Sequence, residues 1–353
     1  MRLRPGFEVF WRERGASQLG LDPRCALRLE GLSDAEQRLV DEIPRVLDVA
    51  TLRQRGNQLG VPRRRVAALL GRVQESNLLT DRPHGCDQDP DAAYWHRAAA
   101  GGLTRPADRA QAVVEVRGLD RLGLRLALIA AEAGAGTVLV RDETVVRAED
   151  VSPGLYRPVD VGRCRERIAV SLIRAAVPSV RMSAPASVRP DLVVLVRPDV
   201  VDPVPVRALM REDVPHLCVV TGELAVTVGP LVRPGLSACT RCLDLYRCDE
   251  DERWPALATQ AAARRPHGPE TSLAWSGAAL AAQMLLAAVD GRQVQAEGAT
   301  LELTGWQAVP VERRWDPHPE CGCTQTSLER SPQERGTREG VRTPAAPWVT
   351  MHR

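Results

Sequence analysis

A chain of 353 residues is long enough for two domains and a sizeable core. Its formal net charge of +2 gives no electrostatic reason to expect binding to nucleic acid or to an anionic membrane surface. All 47 basic side chains are arginines, so the protein has no lysine to offer to any site.

The first 80 residues are predicted to form three short strands followed by three helices. Ser33 and Glu36 fit a capping box, in which each side chain bonds the other residue's backbone N–H at a helix start. Gly60 ends the second helix and Pro62 begins the third. A short helix, a glycine turn and another helix are typical of a helix-turn-helix, and the strands indicate a winged variant. The predicted elements are strands at residues 7–13, 17–21 and 25–30, and helices from Ser33, at 49–58 and at 62–76.

Two uses of this winged helix-turn-helix domain remain open from its sequence. Arg63, Arg64 and Arg65 open the third helix, where they could contact DNA phosphates. Alternatively, an extended peptide could add to the edge of the three-stranded sheet and lie against the third helix. The domain is otherwise ordinary in charge, which makes nucleic acid the less favoured ligand. Residues 81–110 are predicted to be a linker, with a short helical patch at 94–100.

A nucleotide-binding type of fold is predicted to open the second domain, residues 111–324. A buried strand at 111–117 is followed by a glycine loop, a helix to about residue 133 and a second strand at 137–141. The loop runs from Gly118 to Gly123 and carries Asp120 where a glycine normally lets phosphate approach the backbone. A carboxylate at that position crowds the pocket and repels phosphate.

Strands and helices continue to alternate to residue 324, which predicts an α/β, Rossmann-like domain. Residues 325–353 have little periodicity and are predicted to be a disordered tail. The remaining predicted elements are helices at 161–176, 204–211 and 272–289, and strands at 191–196, 216–221, 224–228, 231–233, 299–304 and 307–313.

Four cysteines in two close pairs predict a metal site in this domain. Cys239 and Cys242 form a C-x-x-C pair, and Cys321 and Cys323 follow in HPECGC. Four soft ligands from distant segments suit a tetrahedral zinc ion and leave no position for water, which favours a structural role. A redox dithiol or plain buried thiols are the alternatives.

The segments GPLVRPGLSACTRCLDLYR, WPALATQ and HPECGC together resemble the ThiF-type adenylyltransferases, which are related to ubiquitin-activating enzymes. The closest resemblance is to the actinobacterial branch that accompanies YcaO-type cyclodehydratases in making azole-modified peptides. That resemblance covers about residues 5–324. It implies a leader-peptide-recognition role for residues 1–80 and a homodimer formed through the second domain.

The resemblance also implies where a nucleotide would bind. A ribose-binding carboxylate falls at Asp142 or Glu143, and a magnesium ligand falls at Asp199. Arg165 stands where the family has a lysine, and residues 150–154 lack the arginine that would help to hold the triphosphate. Zinc is therefore the expected cofactor, while ATP and magnesium are disfavoured. The nucleotide positions implied are Gly118, Gly123, Asp142, Arg165 and Asp199.

Three functions follow as hypotheses, with the first preferred. A partner protein without catalytic residues binds a precursor leader peptide and presents it to a separate YcaO-type cyclodehydratase. An adenylyltransferase activates a peptide or small-protein carboxylate, with Cys164, Cys218 or Cys248 as thiol acceptor unless these thiols only fill the core. A DNA-binding regulator uses the winged helix.

The composition also predicts where the protein works. Nine cysteines, without the charged and apolar start of a secretory signal, indicate a reducing compartment. The longest apolar runs, such as residues 124–131 and 278–289, are too short or too interrupted to span a bilayer. We therefore expect a cytoplasmic protein that does not enter a membrane.

Overall fold

A computed structural model describes residues 2–4, 6–45, 49–80, 90–100, 109–264 and 268–324. The chain divides into two units, residues 1–107 and 108–353. Most of the predicted linker, at 81–89 and 101–108, lies outside the described residues. The predicted disordered tail at 325–353 lies outside them as well.

In the first unit, β2, β3 and β4 form an antiparallel sheet in that order, and β1 pairs with β5. Three strands followed by three helices appear in the predicted order, while their assignment as a winged helix stays a prediction. The elements are β1 (Arg2–Leu3), β2 (Val9–Glu13), β3 (Ala16–Leu19), β4 (Leu27–Leu29), α1 (Asp34–Asp41), α2 (Val49–Gln58), α3 (Arg63–Glu75), β5 (Leu79–Thr80) and α4 (Pro90–Ala100).

The start of α1 confirms the predicted capping box. Ser33 Oγ accepts from the Glu36 N–H, and the Glu36 carboxylate accepts from the Ser33 N–H at 2.7 Å. Arg65 of α3 donates to the same carboxylate at 2.5 Å, and this hydrogen bond lowers the pKa of Glu36 to about 2. One of the three arginines that open α3 is therefore engaged within the domain.

The second unit is built on a seven-stranded sheet in the order β12-β11-β10-β9-β8-β6-β7. The strands β7, β6, β8 and β9 run parallel, and β10, β11 and β12 add antiparallel strands to one side. The elements are β6 (Val113–Arg117), α5 (Arg121–Glu132), β7 (Thr137–Arg141), α6 (Arg165–Ala176), β8 (Leu192–Pro198), α7 (Pro203–Arg211), β9 (His216–Thr221), β10 (Ala225–Val232), α8 (Thr240–Glu250), α9 (Trp254–Ala263), α10 (Thr271–Val289), β11 (Ala299–Thr304) and β12 (Val311–Arg314).

The core of this unit lies between the parallel strands and the helices α5 and α10. Valine and leucine fill β8 from Leu192 to Val196, and Val114 and Val116 flank the buried Glu115 in β6, as expected of strands covered on both faces. By length and composition alone α10 could cross a membrane, but half of its most apolar stretch is buried against the sheet and α5. That burial is the pattern of a helix that packs in a protein core.

The α/β class and most predicted elements are confirmed. The differences lie where a turn or an irregularity in the sheet sets the bounds of an element. The two short strands predicted at 224–228 and 231–233 are one strand, β10, whose register shifts between Val228 and Leu231 so that Pro230 needs no ladder bond. The helix predicted from 161 begins only at Arg165, because Gly162 has a φ of +85° and turns the chain. The helices α8 and α9 had no counterpart in the prediction.

Candidate functional sites

The parallel strands β6, β7 and β8 end at the same edge of the sheet, where they surround a cavity of about 690 Å³. Ligands of open α/β sheets bind at this edge. Six arginines line the cavity: Arg117, Arg141, Arg147, Arg165, Arg197 and Arg264. The lining also has six carboxylates: Asp120, Asp142, Glu143, Glu149, Asp150 and Glu166.

The glycine loop between β6 and α5 makes its turn as the sequence predicts. Gly118 has a φ of +102°, and a Cβ there would lie 2.2 Å from the Val196 carbonyl oxygen. A Cβ on Gly123 would lie 2.0 Å from the Gly118 carbonyl oxygen. Both positions therefore require glycine for close backbone packing. Gly118 lines the cavity, while Gly123 lies beneath the loop in the first turn of α5.

Asp120 is the N-cap of α5. Its Oδ1 accepts from the Leu122 N–H at 3.0 Å and from the Gly123 N–H at 2.8 Å. These are the amides that a helix N-terminus offers to a phosphate. Burial raises the pKa of the Asp120 carboxyl, against the lowering effect of the Gly123 hydrogen bond and of Arg165. The Asp120 carboxylate oxygen thus accepts the hydrogen bonds that a phosphate would otherwise accept at the start of α5.

Two variants of Asp120 test this cap. Asp120→Asn keeps an oxygen acceptor and Asp120→Ala removes it, so the alanine variant should be less stable by about 1 kcal/mol in calorimetric unfolding. Because burial raises the folded-state pKa of Asp120, Asp120→Asn should also be more stable than the wild type at neutral pH. That second difference should shrink as the pH falls through the raised pKa. Equal stability of the two variants would contradict the capping role.

Asp142 follows β7 directly and is fixed to the glycine loop. Its Oδ2 accepts from the Leu119 N–H at 2.7 Å, and its Oδ1 accepts from the Thr144 hydroxyl at 2.6 Å. Burial opposes ionisation, but these hydrogen bonds and Arg165 lower the pKa of Asp142 overall. Of the two carboxylates left open by the sequence, Asp142 is the one that joins the loop. Glu143 also lines the cavity.

Arg165, at the start of α6, is held by an aspartate. Its Nε and Nη2 donate to Asp150 Oδ2 at 2.9 and 2.6 Å, and its Nη1 lies 3.4 Å from Asp142 Oδ2. The side chains of Arg165 and Asp150 are 11% and 3% exposed. Burial disfavours the charge, yet the two aspartates raise the pKa of Arg165. The guanidinium that stands for the family's lysine is therefore neutralised from within the chain.

Asp199 comes directly after β8 in a left-handed conformation, with a φ of +55°. Its carboxylate lies 3.5 Å from Arg264 Nη2, and Arg264 also pairs with Glu223 at 2.9 Å. Arg264 lines the cavity, so Asp199 reaches the site through this arginine. Asp199 is therefore paired with Arg264, at the position where the resemblance would place a magnesium ligand.

Among the residues of this cavity that sequence reasoning missed are Asp150, Arg197 and Arg264. Asp150 lies on the loop after β7 and was noted only for the arginine that its segment lacks. Arg197 follows the buried run Leu192–Val196 directly, and a charged residue at the end of a parallel strand is a signal that could have been used. Arg264 had no such signal, because it reaches the cavity only through the end of α9.

The four predicted metal ligands form one cluster in the second unit. Cys239 is the N-cap of α8 and Cys242 lies in its first turn, while Cys321 and Cys323 arrive after β12. Their four Sγ atoms lie within 4.8 Å of one another, at 3.8, 3.7 and 3.4 Å for the closest pairs. A tetrahedral zinc ion with Zn–S bonds of about 2.3 Å would separate sulfurs by about 3.8 Å. The cluster therefore fits a metal ion of that kind.

The neighbourhood of the cluster is closed. The hydrogen bond between the Cys239 and Cys242 sulfurs lowers the pKa of Cys242, which favours the thiolate that a metal needs. His318 lies beside the cluster, 2.9 Å from the Asp249 carboxylate and edge-on to Tyr246, so it supports the ligands from outside. No fifth group within the described residues joins the four thiols as a candidate ligand.

Two cysteines outside the cluster, Cys218 and Cys248, are poor nucleophiles. Burial raises the pKa of Cys218 to about 12, and burial with the nearby Asp244 raises that of Cys248. Cys164 is the N-cap residue of α6 and makes no side-chain capping bond. Cys218 lies on β9 and packs in a small core cluster with residues of β8 and α7, as the packing alternative predicted.

No family model matches the chain, and no curated protein matches it. Among solved structures it is similar to E. coli MccB with ATP, at a TM-score of 0.64 and 12% identity over 91% of this chain and 98% of that one. The microcin C7 biosynthetic enzyme MccB in complex with N-formylated MccA gives 0.64 and 12%, over 92% and 99%. PaaA gives 0.64 and 14%, over 88% and 98%. These neighbours agree with the resemblance to ThiF-type proteins drawn from the sequence, and the chain has the fold of MccB and PaaA.

Proposed function

We propose that this chain is a peptide-binding partner in the biosynthesis of a modified ribosomal peptide, and that it does not itself adenylate a substrate. The first unit binds the leader segment of the precursor, and the second unit docks a separately encoded YcaO-type cyclodehydratase. Holding the leader raises the local concentration of the core peptide at the partner enzyme to about the millimolar range. The MccB complex with the peptide MccA supports a peptide as the ligand. In this proposal the protein works in the cytoplasm as a homodimer, with zinc in the four-cysteine cluster.

One observation argues most strongly against catalysis: charged groups of the cavity already have partners within the chain. Asp120 takes the amides at the start of α5, and Asp150 takes Arg165. Asp199 is paired with Arg264. A magnesium–triphosphate group would have to break each of these contacts before it could bind. The Arg165–Asp150 pair is buried and therefore costly to separate, which argues against nucleotide use.

ATP–pyrophosphate exchange tests this part of the proposal. With candidate peptide acids, the protein should give no exchange above background, while an active adenylating enzyme measured in parallel should do so. Robust exchange that Asp199→Ala abolishes would overturn the proposal and establish an enzyme.

The leader site of this proposal is the groove between β4 and α3. The strand β4 is an outer strand of its sheet, and Arg72 of α3 donates to the Arg28 carbonyl at 2.8 Å. Since N–H and C=O of one strand residue point to the same side, the Arg28 N–H also faces this free edge. An extended peptide can pair with such an edge and lie against the helix.

Arg28→Pro tests this edge. It removes the outward N–H without removing a bond to β3, so binding of the leader encoded beside this chain's gene should weaken about tenfold or more. Arg28→Ala keeps the N–H and serves as the matched control, with binding close to that of the wild type. Fluorescence anisotropy of a labelled leader peptide measures both. Equal binding by the two variants would exclude pairing at β4.

A second candidate function is adenylation of a peptide or small-protein carboxylate. It is favoured by the cavity of about 690 Å³ at the strand ends and by the structure of MccB with ATP. Asp142, Arg165 and Asp199 are the residues that would then bind nucleotide. The exchange experiment decides between the two functions.

A further inference from the structure

One cation of the cavity differs from the others in its surroundings. Five of its six arginines have a carboxylate oxygen within 4 Å, whereas Arg197 has none among the described residues. The nearest carboxylates that act on it are Asp142 and Asp202, and Asp142 is already shared with Arg165. The pairs of the other five are Arg117–Glu115, Arg141–Glu115, Arg147–Glu149, Arg165–Asp150 and Arg264–Glu223.

The guanidinium of Arg197 is held with one edge free. Its Nη1 donates to the Arg117 carbonyl at 3.0 Å and to the Val196 carbonyl at 2.9 Å, which fixes the group against the ends of β6 and β8. Among the described residues, its Nε and Nη2 have no acceptor, and neither nitrogen is sealed from solvent. These two nitrogens form the side of the guanidinium that binds a carboxylate with two parallel hydrogen bonds.

Burial makes this free edge costly without a ligand. It lowers the pKa of Arg197, because the charged group is removed from water without a counter-ion beside it. The lining has as many carboxylates as arginines, so it offers no excess of positive charge to a polyphosphate, whereas Arg197 can accept one negative charge.

We propose that Arg197 makes the cavity a binding site for a single carboxylate group of a small acid or of a peptide, bound without a nucleotide. The carboxylate lies against Nε and Nη2 and gives Arg197 the counter-ion that the described residues do not place within 4 Å of it. The cavity lies in the second unit, whereas the proposed leader site lies in the first. Carboxylate binding at Arg197 therefore does not depend on leader binding.

Ligand-detected NMR titration of the full-length protein tests this site. The probes are propionate, N-acetylalanine, N-acetylalanine amide, the tripeptide Ala-Ala-Ala with an acetylated N-terminus, and inorganic phosphate. The two acetylated acids and propionate should bind saturably, and the amide should bind at least about tenfold more weakly, because it has no charge for Arg197. Tighter binding of the tripeptide than of propionate identifies a peptide end as the source, and the reverse order identifies a small acid.

Two variants make the assignment specific. Arg197→Gln should lose the difference between N-acetylalanine and its amide. Arg141→Gln, the same change at a cavity arginine that already has Glu115 and Glu166 within 3.7 Å, should keep that difference. Thermal unfolding of both variants shows that they are folded, and the acid–amide comparison on the wild type does not depend on either variant.

Several outcomes would overturn the proposal. These are equal binding of acid and amide by the wild type, an unchanged difference in Arg197→Gln, or no binding of any acid. Phosphate binding tighter than that of every carboxylate would replace the carboxylate by a phosphate group. None of these results bears on leader binding or on pyrophosphate exchange.

Discussion

Replacing Cys242 by serine is expected to remove the metal from the second unit and to cost that unit about 4 kcal/mol of unfolding free energy. This is the contribution of a ligand present at about 1,000 times its dissociation constant. Cys242 is fully buried in the cluster with Val232, Leu243 and Cys321, and a serine there is a poor zinc ligand and leaves a buried hydroxyl. Elemental analysis should find about one zinc per wild-type chain and almost none in the variant, and calorimetry should show the lowered transition.

Cys248→Ser is the matched control for this experiment. It makes the same change on the same helix, α8, but outside the cluster. Zinc content and stability should stay close to those of the wild type. A structural metal would be excluded if Cys242→Ser kept its metal, or if chelation of the wild type left its unfolding temperature unchanged.

The exchange of Asp150 for asparagine is expected to destabilise the second unit by about 3 kcal/mol, because the buried Arg165 guanidinium loses its nearest counter-ion and keeps only the longer contact with Asp142, at 3.4 Å. One oxygen of Asp150 accepts three donors: Arg165 Nε at 2.9 Å, Arg165 Nη2 at 2.6 Å and the Arg147 N–H at 2.8 Å. Asparagine preserves the shape of the side chain, so the loss measures the charge. Differential scanning calorimetry measures the transition of the second unit separately from that of the first.

An exposed ion pair of the same unit provides the control. Glu297 accepts from Arg233 at 3.2 Å, with both side chains about two-fifths exposed, at 38% and 37%. Glu297→Gln should change the stability by less than about 1 kcal/mol, because solvent screens the pair. Similar losses in the two variants would show that the cavity's ion pairs are not special. In that case the ion pairs of the cavity would present no energetic barrier to nucleotide binding.

These predictions concern a cavity whose charges are largely paired within the chain. Asp120 accepts from an amide at the start of α5, Asp150 neutralises Arg165, and Arg264 pairs with Asp199. These contacts support the peptide-binding role proposed above over nucleotide chemistry. Arg197 is the exception, because no carboxylate of the described residues lies within 4 Å of it. The NMR titration measures whether it binds a carboxylate ligand.

The sequence by itself determined the class of fold, the four thiols and most elements of both units. The reason is that these depend on local patterns: the alternation of apolar residues, the Ser33–Glu36 capping box, the turn glycines Gly118 and Gly123, and the spacing of Cys239 and Cys242. A short-range pattern is read directly from neighbouring residues. The fold shared with MccB agrees with the resemblance that those cysteines suggested.

Only the tertiary structure decided which charges of the cavity compensate one another. Asp120 was expected to repel phosphate, but whether it pointed into the cavity or onto the helix depended on the backbone geometry of its own turn. The pairing of Arg165 with Asp150, and of Asp199 with Arg264, joins segments with no common sequence pattern. Electrostatic interactions depend on distance and burial, and both quantities exist only once the strands β6, β7 and β8 have brought their ends together.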